Sequence, residues 1–367
     1  MPTDIYWRIA MEGDAAALRH SRITRGGFGP AGPDTIAPGP AGTSTPLDYM
    51  AEVARATEAS GFVGGLLPSF PSTDDPWGAA ASLAAETSSY RFMIAFQPGF
   101  LHPVQAARMS ATLQLATGGR VVYNIISGGG GPQQLWWGDK VAHDDRYART
   151  SEFLDVLKGV WRGQGRYRHQ GRFYQVEDGG LPGYLAAQPF PEIFFSGSSP
   201  AAIDAAGRHA DYYLSWLEPF DALAAKFAAV REHSATPPKF AVRVDVLARE
   251  TEEEAWDEIR QGWAAGGRRE GDAGGDSVGV QRGRGFTGGA TDDYRSLEIA
   301  PNVWGGFARL RPGPPFGLVG DYHQVAGRLD ELINLGVDSF ILAGVPHLEE
   351  ARRIGTHVLP LLKGRTT

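Results

Sequence analysis

PEIFFSGSSPAAIDAAGRHADYYLSW, residues 191–216, holds a complete strand–loop–helix–strand unit. Pro191–Phe195 is a short apolar run, unalternated and aromatic, as a strand buried on both faces requires. Ser199 is a good N-cap and Pro200 a good first helical residue, so a helix starts immediately after the strand. Tyr212–Ser215 is the next apolar run. Two parallel strands joined through a helix form the repeating unit of α/β folds.

The same alternation extends in both directions. Ile5–Ala10, Gly64–Leu67, Phe92–Phe96 and Val121–Ile126 read as strands before this unit, and Phe240–Ala248 and Val337–Leu342 as strands after it. Thr45-Pro46 opens a helix that Gly61 stops, and Val325, Leu329, Leu332, Ile333 and Leu335 mark a helix ended by Gly336. Eight strands alternating with helices predict an α/β fold, a closed (β/α)8 TIM-like barrel; an open doubly wound sheet is the alternative. The expected organisation is one domain over residues 1–367. Residues 250–320 form an insertion between strands 7 and 8: a helix over Glu252–Trp263, then a glycine-rich lid too poor in side chains to build a core.

Composition narrows the function. In 367 residues, 35 basic and 42 acidic side chains leave a net charge of −7, which argues against a nucleic-acid surface. Cysteine is absent, excluding disulfides, thiolate metal sites and a cysteine nucleophile. The opening MPTDIYWRIAMEGD lacks a signal-peptide pattern and no apolar run is long enough for a bilayer, so a soluble, cytoplasmic protein is expected. The 49 glycines, roughly twice the usual ~7%, cluster in loops.

Candidate chemistry lies in those loops. In Ser196-Gly-Ser-Ser-Pro200, serine hydroxyls and a helix N-terminus make a phosphate cradle or, on the plainer reading, an ordinary βα turn. Ser127-Gly-Gly-Gly-Gly131 would let a flat ligand approach the backbone, but it has neither a P-loop lysine nor dinucleotide-fold spacing. His143 and Tyr147, one helical turn apart, either face one ligand or begin a solvated helix. Arg243 and Asp245 share one face of an apolar strand, as a catalytic pair or as a structural ion pair. Histidine spacing offers no metal site, and there is no GxSxG nucleophile elbow.

The chain resembles the bacterial luciferase-like flavin monooxygenases, most closely the FMNH2-dependent alkanesulfonate monooxygenases. The stretches that carry the likeness are Ser296-Leu-Glu-Ile-Ala-Pro-Asn-Val-Trp304, Leu318-Val-Gly-Asp321, Gly336-Val-Asp-Ser-Phe340 and Pro346-His-Leu-Glu-Glu350. Ala95-Phe-Gln-Pro98, Asn124-Ile-Ile-Ser127, Arg146-Tyr147, Phe195-Ser-Gly-Ser-Ser199 and Asp211-Tyr-Tyr-Leu-Ser-Trp216 support it. The resemblance implies a TIM-like barrel with a mobile insertion and a two-component system. In such a system a separate NAD(P)H-dependent flavin reductase would supply reduced FMN, O2 would add to it as a flavin peroxide, and a small organic substrate would be oxygenated. It also implies a homo-oligomer, dimer or tetramer. A coenzyme F420-dependent hydride-transfer enzyme and a catalytically silent flavin-binding barrel are the alternatives.

By the same likeness the flavin phosphate rests on Ser198 and Ser199, helped by His143 and Tyr147, with Asn124 and Ser127 near the isoalloxazine. Arg243 matches the family's strand arginine, Arg311 its lid arginine and His347 the histidine of its last loop; Trp216 lines the pocket. Four pocket positions depart from the pattern: Asp245 and Glu12 replace histidines, Val345 a tyrosine and Thr73 a cysteine. Two added carboxylates would repel an anion, so these changes predict poor use of simple sulfonates and a polar, neutral or cationic substrate instead.

Overall fold

The computed structural model describes residues 3–9, 11, 46–69, 73–127, 132–163, 165–264, 278–287, 291, 293–310 and 313–362. Its strands are β1 (Asp4–Arg8), β2 (Gly64–Leu67), β3 (Arg91–Phe96), β4 (Val121–Ile125), β5 (Tyr167–Gln170), β6 (Gln175–Gly179), β7 (Ile193–Ser196), β8 (Tyr212–Trp216), β9 (Lys239–Arg249), β10 (Glu298–Ala300), β11 (Val303–Trp304), β12 (Gly317–Asp321) and β13 (Ser339–Ala343). The helices are α1 (Pro46–Ala59), α2 (Pro76–Leu83), α3 (Pro103–Thr117), α4 (Pro132–Trp136), α5 (His143–Arg162), α6 (Gly183–Ala186), α7 (Pro200–His209), α8 (Phe220–Glu232), α9 (Glu252–Ala264), α10 (Val278–Thr287), α11 (Phe307–Leu310), α12 (Tyr322–Asn334) and α13 (His347–Arg353).

Eight strands pair in parallel in the order β13-β1-β2-β3-β4-β7-β8-β9, and β9 pairs back with β13. The sheet is therefore closed, as a (β/α)8 barrel, and the open-sheet alternative is excluded. Side chains alternate across each strand, so register fixes which residues point inward. Tyr6, Leu66, Met93, Val122, Phe194 and Ile341 share the inward parity and belong to one buried cluster inside the barrel. The opposite parity, including Trp7, Ile94, Tyr123, Phe195, Val242 and Leu342, packs with the surrounding helices in the main core. At the N-terminal end charges close the barrel: Arg91 lies 3.6 Å from Asp4 and also pairs with Glu192.

Two helix ends follow the sequence chemistry closely. Asp321 and Gln324 form a reciprocal capping box at the start of α12, and Gly336, at φ 103°, lies just beyond its end, where a left-handed residue is needed. Most of the insertion's glycine-rich stretch lies outside the described residues, and the segments flanking it carry a core of their own. Trp256, Trp263, Trp304, Phe307 and Val319 make a separate buried cluster. Five large or branched side chains gather here across sequence gaps that glycine counting does not see. Strand β12 continues the sheet along the outer half of β9, pairing Gly317–Asp321 with Asp245–Arg249. The hairpin β5–β6 had no counterpart in the sequence reading. Among the described residues, no helix is long and apolar enough to cross a membrane.

Candidate active site

All eight barrel strands run the same way, so their C-terminal ends share one rim, where barrels of this kind carry their sites. Inward parity carries Arg8 (β1), Asn124 (β4), Ser196 (β7), Trp216 (β8) and both Arg243 and Asp245 (β9) to that rim. Residues scattered from 8 to 245 are thereby brought to one mouth. Glu12 and Arg311 lie outside the described residues, as do the four glycines after Ser127.

The loop after β7 is built from the backbone outward. Ser199 caps α7, its hydroxyl accepting from the Ala202 amide at 3.2 Å, with Pro200 at the first turn. No acidic residue occupies that turn, so the positive helix end is not neutralised from within. Gly197 has φ 148°; a Cβ there would sit 2.8 Å from the Tyr147 hydroxyl and 2.5 Å from the Ala202 Cβ, so only glycine fits. Behind the loop, Tyr213 donates to the Gly197 carbonyl at 2.6 Å, and burial pushes its phenol well up. Burial likewise raises the Tyr147 phenol, against a hydrogen bond with Ser199. The His143 and Tyr147 rings, one helical turn apart, meet edge to face at 5.2 Å. His143 stays partly exposed, bonded to Asp144 at 2.7 Å.

On the strand beside β7, Asn124 is buried and its side-chain carbonyl oxygen has no hydrogen-bond partner. Ser127 is buried with its hydroxyl on Thr150 at 3.0 Å. Arg243 pairs with Asp245 at 3.0 Å, the pair being 6% and 0% exposed, and donates to the Val244 carbonyl at 2.8 Å. The geometry thus contains the ion pair that sequence spacing left as one of two readings. Trp216 and Val345 are half-buried at strand ends, and Thr73 is half-buried in the loop after β2.

His347 begins α13 and is fully buried. Its Nδ1 lies 3.0 Å from the Arg8 carbonyl and its Nε2 3.3 Å from Arg8 Nη1. A carbonyl can only accept and a guanidinium only donate, so both contacts require one tautomer: the proton on Nδ1 and a lone pair on Nε2. Arg8 is itself buried and was missed in the sequence, although it repeats the in-phase strand charge that singled out Arg243. A second missed group follows Trp216. Glu218 and Lys226 are buried together, Lys226 also donating to Ser215 at 3.0 Å, and Arg282 of α10 forks onto Glu218 at 2.8 and 3.1 Å. Burial works to raise the Glu218 carboxyl, but Arg282 and Lys226 outweigh it and hold it low. Nothing local in the sequence joins positions 218 and 282. Among the described residues no cluster could hold a metal ion.

A family model described as luciferase-like monooxygenase matches residues 29–339. The chain belongs to that family. Solved structures agree in fold. A riboflavin lyase, crystallised with modified FMN and riboflavin, superposes with a TM-score of 0.72 at 20% identity over 98% of this chain and 91% of its own. A long-chain alkane monooxygenase gives 0.71 at 19% identity, covering 98% and 91%. EDTA monooxygenase from Chelativorans sp. BNC1 gives 0.71 at 18% identity, covering 99% and 94%.

Proposed function

We propose that this family member oxygenates a small organic molecule using O2 and reduced FMN, the latter supplied by a separate NAD(P)H-dependent flavin reductase. The observation that carries the reading is the Ser199-capped N-terminus of α7, free of acidic side chains and backed by Tyr147. It stands on the same rim as the donor-less Asn124 carbonyl. Backbone amides at a helix N-terminus and neighbouring hydroxyls suit a phosphate; a buried orphan acceptor suits a ring with N–H donors. The residues present therefore fit FMN. Bound and reduced, FMN supplies the electrons that activate O2.

The chain's own groups take the remaining roles. Ser198, Ser199 and the positive N-terminal end of α7 hold the phosphate, with the Tyr147 hydroxyl and His143 beside it. Asn124 and Ser127 set the ring, Arg243 stabilises negative charge that develops near it, and Asp245 keeps that guanidinium in place. Arg8 and His347 complete the opposite wall, and Trp216, Thr73 and Val345 shape the substrate space. A carboxylate beside Arg243 disfavours a simple sulfonate and favours a polar, neutral or cationic substrate carrying a donor.

Flavin titration of the double variant Ser198→Ala, Ser199→Ala tests the phosphate assignment. Each lost charge-assisted hydrogen bond is worth about 1.5–3 kcal/mol, so affinity should fall at least tenfold. Unchanged affinity removes the assignment. A screen of sulfonates, sulfones, ketones and amines with FMN, reductase and NADH should show substrate-dependent O2 uptake; hydride transfer from reduced F420 without O2 uptake would overturn the monooxygenase reading.

A further inference from the structure

We propose that Gln97 is a ligand-facing residue of this mouth, and that its side-chain carbonyl, with that of Asn124, selects reduced over oxidised flavin. The inference rests on the FMN reading above. Gln97 follows the last residue of β3 and continues the inward parity of Met93 and Ala95. On the neighbouring strand Asn124 lies opposite Ala95, and Ile126 bonds the Phe96 carbonyl at 3.1 Å, so Gln97 stands one step nearer the rim than Asn124. Both side-chain carbonyl oxygens are buried, and neither receives a hydrogen bond. Buried acceptors are rarely left without a donor, and two on adjacent strands of one mouth call for a ligand that brings two donors.

The backbone that carries Gln97 is held in place. The Phe100 amide closes a turn onto the Gln97 carbonyl at 3.1 Å, and the Tyr174 hydroxyl donates to the next carbonyl, that of Pro98, at 3.1 Å. The side chain therefore presents its oxygen from a fixed base. An oxidised isoalloxazine offers one ring N–H, at N3. Two-electron reduction adds one at N5 and, in the fully protonated form, one at N1; the N3–C4–C4a–N5 edge therefore presents two N–H donors only in the reduced ring. A reduced 5-deazaflavin carries carbon in place of N5 and offers no N5–H, so the pair of acceptors also favours a flavin over a deazaflavin.

Anaerobic titration of the full chain with oxidised FMN, reduced FMN and reduced 5-deaza-FMN reads this directly. Gln97→Leu should weaken reduced FMN by about three- to tenfold, the range of one neutral hydrogen bond, and change the other two less than about twofold. Equal loss for all three ligands would show a packing role only, and no loss for any would show an amide that does not face the ring; either outcome overturns the proposal. An amide that turns over to donate would help oxidised FMN equally, and the unchanged ratio would overturn it too. Gln97→Met repeats the test should the leucine variant not fold. Wild-type protein that binds no FMN in either state overturns the FMN reading itself, whereas tight wild-type binding of reduced FMN matched by Gln97→Leu overturns this inference alone.

Discussion

His347 shows how far a single tautomer constrains chemistry. Its Nδ1 faces the Arg8 carbonyl and its Nε2 the Arg8 guanidinium, so both ring nitrogens are engaged, which fits a positioning role. His347→Asn, whose amide can reproduce the donor to the Arg8 carbonyl, should keep kcat within about threefold, because general acid–base roles are worth about 10²–10⁴. A loss in that larger range would restore His347 as a proton donor or acceptor. The Arg243–Asp245 pair carries a different expectation. Asp245→Asn leaves a buried guanidinium without its carboxylate, so stability should fall by about 3 kcal/mol in denaturant melts. Inhibition by a short alkanesulfonate should strengthen in the same variant. Sulfonate binding that is already tight in the unmodified protein, with sulfite released, would contradict the assigned role of Asp245. Arg243 was legible in the sequence because a charge in phase within an apolar strand must be paired or used. Its partner was legible too, but that the two bond to each other was a matter of rotamers.

Helix α10 is joined to the barrel by a charged fork and an aromatic contact, and their kind bears on its behaviour. The Arg282 fork onto Glu218 joins the insertion to the end of β8, two residues from Trp216, while Phe286 meets Phe316 edge to face at 6.1 Å. Arg282→Met should speed amide exchange in α10 by about tenfold and leave α12 unchanged, as loss of one charged fork with partial solvent screening implies. Raised salt should weaken the wild-type fork less than a surface pair, because Glu218 is buried beside Lys226. Exchange in α10 that ignores the substitution would mean that apolar packing alone seats the helix. Sequence periodicity reached α9 and α12, whose apolar faces repeat within one element. It did not reach β10, β11 or α11, which span two to four residues and owe their place to pairing with β12 and to the Trp304 cluster.

Across the whole molecule, folding stability carries a pH signature from a residue remote from the mouth. His209 ends α7, bonded to Ser151 at 2.8 Å, and burial, with Lys158 and Arg208 nearby, lowers its pKa to about 4. The unfolded chain takes up this proton near pH 6.5 while the folded chain resists it until about pH 4. Stability from this group is therefore complete above pH 6.5 and is lost as pH falls through that window, by about 3 kcal/mol in all. His209→Gln should flatten this part of the acid limb in chemical denaturation at a series of pH values; an unaltered limb would assign it to carboxylates. By itself the sequence determined the strand and helix rhythm, the cap at Ser199, the glycine stops and the charges that an apolar strand must accommodate, because each depends on spacing along one element. Closure of β9 onto β13, the tautomer of His347, the Glu218–Arg282 fork and the paired orphan oxygens of Gln97 and Asn124 were decided only in three dimensions. Each of these joins groups from different elements, and parallel register, not sequence distance, sets which side chains face one another around the mouth.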